Sequence, residues 1–89
     1  KEEVKEQMIQ VSARRENGKT VYRVEDKEVP RDALPAELTR FVRATKHTTL
    51  LLDAGADVPF GDTVYVEDQA KGAGMEQVLL LAPTSAKQP

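Results

Sequence analysis

The chain has 89 residues, of which 39% are hydrophobic and 31% charged, and its formal net charge is −2. This length and composition are those of one folded domain rather than of a disordered chain. A near balance of 13 basic and 15 acidic residues, with only 4% aromatic residues, argues against nucleic acid as a partner. Because the sequence contains no cysteine, disulfides and thiolate metal sites are excluded.

The longest apolar run, residues 78–83, is too short to span a bilayer, and no signal-peptide pattern is present. The sequence begins at Lys1 rather than at methionine, so we expect a piece from which a membrane segment has been removed. We expect residues 1–7 to be a charged linker, residues 8–83 the domain and residues 84–89 a flexible tail.

The beginning of the domain predicts a β-hairpin. Ile9, Val11 and Ala13 alternate with polar residues, which is the pattern of a half-buried strand. Asn17-Gly18 predicts a tight turn, because both residues accept a positive φ, and residues 20–25 continue as the second strand.

A helix is expected to follow a polar turn at residues 26–30. Asp32 is a candidate N-cap and Pro35 fits the first helical turn, where backbone N–H groups lack partners. Apolar residues at helical spacing predict that the helix continues to about Thr45. They are Leu34, Leu38, Phe41 and Val42.

The second half predicts two buried strands joined by a helix. Residues 48–52 are β-branched or leucine without alternation, which favours a strand covered on both faces, and residues 77–82 are a second such strand. Between them, residues 53–61 form a loop. Residues 62–71 combine strand propensity with helical spacing, and we predict a helix that ends near Gly72 and Gly74.

The predicted order is therefore strand-strand-helix-strand-helix-strand. A crossover helix between the last two strands implies that they are parallel, with a right-handed connection. With both helices on one face of a mixed sheet, the fold class is α+β, a two-layer sandwich.

Catalytic chemistry finds little support in the sequence. The only histidine, His47, fits a surface position at a helix end better than a metal ligand or a base. Asp53 and Asp57 are explained as turn residues and Asp62 as a helix cap, although a carboxylate pair doing acid–base work is the alternative. Ser12 and Ser85 lie outside any nucleophile motif, and residues 67–68 suit a solvated helix face. We expect no enzymatic activity, no metal and no cofactor.

The last third of the chain resembles the ExbD/TolR family. The similarity runs without a gap through residues 50–54 (LLLDA), 58–61 (VPFG), 70–75 (AKGAGM) and 78–81 (VLLL). Family members usually have tyrosine where Phe60 stands, and apolar residues where Thr63 and Glu67 stand. The hairpin and the first helix also match the family, more loosely.

This resemblance implies a non-catalytic periplasmic domain of a single-pass inner-membrane protein. Such domains couple proton flow in an ExbB/TolQ-like channel to a TonB- or TolA-like transducer. The resemblance also implies a homodimer, with peptidoglycan contact as a further role. The proton-linked aspartate of the family lies in its membrane helix and corresponds to no residue here.

Two other classes use similar sandwiches. A regulatory domain of the ACT type would need an effector pocket between protomers. A small phosphatase would need an arginine loop and an oriented asparagine, but the single asparagine, Asn17, is used by the hairpin. About 20 apolar residues encoded just upstream of Lys1 would favour the proton-motor hypothesis.

We expect partner contacts at two places. The first hairpin is predicted to leave a strand edge exposed, at Ile9, Val11 and Ala13, where a partner strand could pair. Val11→Pro would test this edge. The second place is the loop formed by Val58, Pro59 and Phe60.

Overall fold

The computed structural model describes residues 8–81, and the predicted linker, the predicted tail and residues 82–83 lie outside them. Within this part the chain forms five strands, two helices and a 3-10 turn at Arg31–Ala33. The strands are β1 (Met8–Glu16), β2 (Lys19–Val24), β3 (Lys27–Val29), β4 (Thr49–Ala54) and β5 (Gln77–Leu81). The helices are α1 (Leu34–Thr45) and α2 (Phe60–Gly72).

The strands form one mixed sheet in the order β3-β2-β1-β4-β5. β2 is antiparallel to both β1 and β3, whereas β4 is parallel to both β1 and β5. The α+β fold class and the parallel final pair are confirmed. The element order differs by one strand, because β3 forms where the sequence predicted only a polar turn.

Two-residue turns at both ends of β2 have positive φ angles. Asn17 (53°) and Gly18 (80°) form the predicted hairpin turn, since a positive φ at both residues matches the twist of the strands. Glu25 (50°) and Asp26 (71°) form the turn to β3; aspartate tolerates this conformation, whereas glutamate does not favour it.

Both helices cover the same face of the sheet. Alternate residues of the strands and one stripe of each helix form a single buried cluster beneath them. The strand contribution is Ile9, Val11, Ala13, Tyr22, Val24, Val29, Leu50 and Leu52, and the helix contribution is Leu34, Leu38, Val66 and Ala70. The other face of the sheet carries no layer within the described residues. The prediction that β4 is covered on both faces is therefore wrong, and its burial alternates along the strand.

The predicted helices and the predicted end of the second one near Gly72 and Gly74 are confirmed, but the two predicted N-caps are not. Pro35 lies in the first turn of α1 as expected, whereas Asp32 is in the preceding 3-10 turn and makes no capping hydrogen bond. Helix α2 begins at Phe60, after Pro59 as its N-cap residue, so Asp62 lies in the first turn and also does not cap. Each carboxylate still lies near a helix N-terminus, where the helix dipole favours negative charge.

The end of α2 determines where β5 begins. The N–H of Met75 bonds to the Ala70 carbonyl at 3.0 Å, and the N–H of Gly74 bonds to the Lys71 carbonyl at 3.2 Å. This is the Schellman arrangement, in which the residue after the C-cap takes a positive φ, and Gly74 has φ 106°. Met75 is then buried beneath the helix end, and the chain turns directly into β5.

Candidate partner-binding surface

Strand β1 is the centre of the sheet rather than its edge. Val11 is paired with Val24 of β2 on one side and with Leu52 of β4 on the other. Ile9, Val11 and Ala13 are at most 1% exposed. The prediction of a free edge at these residues is wrong, because β4 occupies it, and Val11→Pro would remove a donor from the sheet interior.

The outer strands are β3 and β5, and they differ in length and chemistry. β3 has three residues, and its Lys27 and Glu28 are exposed. β5 has five residues with the sequence QVLLL. No other strand in residues 8–81 pairs with the outer side of β5. A partner strand therefore finds its longer and more apolar template at β5.

The peptide groups that β5 presents outward can be assigned from its pairing. The N–H of Gln77 bonds at 3.2 Å to the carbonyl of Thr48, the residue just before β4, and Gln77 is in register with Thr49. Since successive residues of a parallel strand direct their peptide groups to opposite sides, Leu79 and Leu81 also bond towards β4. Val78 and Leu80 direct theirs outward.

Side chains of β5 place leucines on both faces of this edge. Leu79 and Leu81 lie on the uncovered face and are 37% and 53% exposed, while Leu80 lies on the helix side and is 47% exposed. The prediction of a buried final strand is therefore wrong. It failed because no second layer covers the sheet within residues 8–81 and α2 only partly covers its last strand.

Helix α2 extends this apolar surface. Successive residues are about 100° apart around a helix, so Phe60 and Val64 lie on the flank opposite to Asp62 and Tyr65. Asp62 and Tyr65 face Arg31, at the β2 and β3 side of the fold. The flank with Phe60 and Val64 therefore faces β5.

The predicted Val58, Pro59 and Phe60 set is divided between core and surface. Val58 packs against the core, Pro59 is exposed, and Phe60 is the most exposed large hydrophobic residue of the described chain, at 79%. Leu81 is in register with Asp53, near the end of β4, so Phe60 and the end of β5 lie at the same end of the sheet. We use "β5 edge surface" for Phe60, Val64, Leu79, Leu80 and Leu81.

A polar cluster holds the other flank of α2. Arg31 donates from Nη1 to the hydroxyl of Tyr22 at 3.0 Å and to Asp62 Oδ1 at 3.1 Å. Its guanidinium carbon lies 3.9 Å from the centroid of the Tyr65 ring, and the Tyr65 hydroxyl donates to the Arg31 carbonyl at 2.9 Å. The Thr20 hydroxyl donates to Asp62 Oδ2 at 2.5 Å. The sequence analysis missed this cluster, because its members are far apart in the chain.

The cluster shifts the pKa values of its members. The hydrogen bond from Thr20 and that from Arg31 hold the pKa of Asp62 below its usual range. Burial raises the pKa of the Tyr22 hydroxyl, and the nearby Asp62 carboxylate raises it further. These shifts favour an ionised Asp62 and a neutral Tyr22, which is the hydrogen-bonding state that the structure shows.

The candidate catalytic residues do not converge. Asp62 belongs to the polar cluster, whereas Asp53 accepts a 3.0 Å ion pair from Arg14 on the uncovered face of the sheet. Asp53 and Asp62 thus each pair with an arginine, Arg14 and Arg31 respectively, rather than with each other. Ser12 lies beside Asp53 in register, and Ser85 is outside the described residues. No group of three or more histidine or acidic residues within residues 8–81 could hold a metal ion.

Comparison with known proteins assigns no family: the chain matches no protein-family model, and no curated protein matches it significantly. Neither helix of the described part is long and apolar enough to cross a membrane.

Proposed function

We propose that this chain is the periplasmic domain of an ExbD/TolR-like inner-membrane subunit, anchored by a membrane helix elsewhere in its protein. In this proposal the domain is not an enzyme. It couples proton flow through an ExbB/TolQ-like channel to a TonB- or TolA-like transducer, and it binds an extended segment of that transducer at the β5 edge surface.

The observation that carries this proposal is the outer side of the leucine-rich strand β5, which pairs with no strand of residues 8–81. Its outward peptide groups at Val78 and Leu80 can pair with an added strand, and its exposed leucines can pack against both faces of that strand.

The fold is also consistent with the resemblance. Residues 50–81, which carry most of the similarity, form the continuous unit β4-α2-β5. Thr63 stands where the family usually has an apolar residue, and it is 6% exposed on the sheet side of α2. Glu67 is half-buried on the flank towards β5. Both departures therefore occur at positions that a family helix would bury.

The test is to block the outward face of β5 while keeping its inward pairing. Leu80→Pro removes an outward N–H, which an edge strand tolerates, and Leu80→Ala is the matched control that shortens the side chain but keeps the N–H. A fluorescent peptide carrying the periplasmic segment of the cognate transducer is titrated with each variant. We expect Leu80→Pro to weaken binding at least about tenfold, equivalent to about 1.4 kcal/mol. Leu80→Ala should weaken it less.

Circular dichroism and urea unfolding check that both variants keep the wild-type fold. Equal binding by wild type and Leu80→Pro would refute the proposed mode of binding, and a wild-type domain that fails to bind the cognate segment would refute the proposed function. The homodimer implied by the resemblance is tested on the same variants by sedimentation velocity. Dimers that are lost only with Leu80→Pro would place self-association at the same edge.

A further inference from the structure

Helix α2 is held by polar contacts on only one of its two flanks. Asp62 and Tyr65, on the flank away from β5, make side-chain hydrogen bonds to Thr20 and Arg31. On the flank towards β5, the side chains of Glu67 and Lys71 form no hydrogen bond or ion pair with the rest of the described chain. The exposed Phe60 lies on this second flank and in the same first turn as Asp62.

Arg31 is the residue that connects this first turn to the rest of the fold. Its 3-10 turn lies between β3 and α1, and its guanidinium contacts Tyr22 of β2 and both Asp62 and Tyr65 of α2. The contact to Tyr65 is made twice, by ring stacking and through the Arg31 carbonyl. Together with the Thr20–Asp62 hydrogen bond, the Arg31 side chain thus ties the first turn of α2 to β2 and to the 3-10 turn.

We propose that Arg31 is a positioning residue for partner binding, which acts by holding the first turn of α2 so that Phe60 is presented beside the edge of β5. This inference rests on the proposed function. A contact residue that is held in place before binding loses less conformational freedom when the partner arrives, so a fixed α2 favours a tight complex. Without the Arg31 side chain, the first turn of α2 keeps the Thr20–Asp62 bond and the Tyr65 bond to the backbone carbonyl of residue 31. It loses the ion pair and the contact with the Tyr65 ring, so the orientation of Phe60 is less restricted.

A purely stabilising role explains the contacts of Arg31 less well than a positioning role. If the cluster served only to hold the domain together, the partly exposed Arg31–Asp62 pair would add little, since ion pairs of this kind contribute weakly to stability. The geometry is instead specific in direction, because the planar guanidinium stacks on one ring while it donates in its plane to two oxygens.

Arg40 provides a matched control. It also forms an ion pair, with Glu37 at 2.6 Å, and its guanidinium carbon lies 4.9 Å from the centroid of the Phe41 ring. Both partners of Arg40 belong to α1, so Arg40→Met removes the same kinds of contact without releasing α2. Arg31→Met removes them from between elements.

The experiment combines an affinity with a local signal. The chain has two phenylalanines, so fluorophenylalanine labelling gives two ¹⁹F resonances, from Phe41 and Phe60. We expect Arg31→Met to shift or broaden the Phe60 resonance and to weaken binding of the transducer peptide about threefold to tenfold. Arg40→Met should shift only the Phe41 resonance and leave the affinity unchanged.

One outcome would overturn the inference and leave the proposed function standing. In it, Arg31→Met binds the transducer peptide within twofold of wild type, while Leu80→Pro weakens binding of the same peptide at least about tenfold. An unchanged Phe60 resonance would overturn it as well, even if the wild-type domain binds no transducer. If Arg31→Met does not fold, Asp62→Asn replaces it. That variant removes the carboxylate with which Arg31 forms its ion pair and leaves the chain with two phenylalanines, so the same two readouts decide.

Discussion

Replacing Gly74 with alanine should destabilise the domain, whereas replacing Gly72, two residues earlier, should not. Gly72 is the last residue of α2, and Gly74 is the left-handed residue of the Schellman turn, with φ 106°. An added Cβ at Gly74 would lie 3.7 Å from Val42 Cγ1, which is an ordinary contact. An added Cβ at Gly72 meets nothing within 4 Å. Steric clash of the added Cβ is therefore not the reason why Gly74→Ala and Gly72→Ala should differ in stability.

The expected magnitudes follow from the backbone. A left-handed conformation costs an L-residue about 1–2 kcal/mol, and the φ of Gly74 exceeds the favoured left-handed value of about 57°, so the upper half of that range applies. Alanine recovers about 0.4–1 kcal/mol by restricting the unfolded chain. Gly74→Ala should therefore lower the free energy of unfolding by about 1 kcal/mol. Gly72→Ala should raise it by up to about 1 kcal/mol, because alanine is the better helix former.

Thermal and urea unfolding, both followed by circular dichroism, measure the two changes. For a domain of this size 1 kcal/mol corresponds to a change in Tm of about 4–8 °C, so the two variants should move apart by a readily measured interval. Unchanged m values would show that the unfolded state is comparable in both. A Gly74→Ala variant as stable as wild type would show that the turn between α2 and β5 does not require a residue that favours positive φ. That result would contradict the assignment of a Schellman turn at Gly74.

Two further predictions concern the polar cluster and the core. The lowered pKa of Asp62 means that its contribution to stability is complete above the unfolded value of about 3.9 and is lost as pH falls through the lower folded value. The urea midpoint of Asp62→Asn should therefore fall less than that of wild type between pH 6 and pH 3, and equal slopes would contradict the shift. Some acid dependence should remain, because hydrogen bonding from Arg40 lowers the pKa of Glu37. Leu38→Ala should lower the free energy of unfolding by about 2–5 kcal/mol, whereas Leu79→Ala, on the uncovered face, should lower it by less than 1 kcal/mol; thermal unfolding of the two variants compares them, and equal losses would contradict the assignment of faces.

Local signals in the sequence predicted most of the fold. The alternation of Ile9, Val11 and Ala13 and the turn at Asn17-Gly18 depend on neighbouring residues alone, and both are confirmed. Residues 62–71 needed one additional argument, that two parallel strands require a crossover. That argument decided correctly between strand propensity and helical spacing, because the connection must pass across the sheet.

Strand β3 could not be predicted in this way. Its turn places Glu25 and Asp26 at positive φ, which costs free energy that contacts far along the chain offset. The Glu25 carboxylate accepts the N–H of Gln10 at 2.8 Å, and the N–H of Glu25 bonds to the Gln10 carbonyl at 2.9 Å. These bonds exist only after β2 has paired with β1, so no pattern local to residues 24–29 indicates that a paired strand follows the turn.

The order of strands in the sheet was likewise not accessible from alternation. Alternating burial shows that one face of a strand is covered, but it does not show how many neighbouring strands it has. β1 alternates because the sheet has one covered face, and it is nevertheless paired on both sides. β5, which lacks alternation, has a neighbour on one side only. The candidate strand edge is therefore β5 instead of the first hairpin, and Phe60 is the predicted contact residue that remains part of the candidate surface.

The contrast between the two outer strands is the strongest argument that β5 is a binding surface. Both edges belong to one small sheet, so both would promote unwanted strand pairing if they were long and apolar. β3 is limited to three residues and carries Lys27 and Glu28, which discourage such pairing. β5 carries three consecutive exposed leucines and no charge. A domain able to protect one edge with charged residues could protect the other by the same means. Within residues 8–81 this contrast supports the proposal that a partner strand pairs with β5.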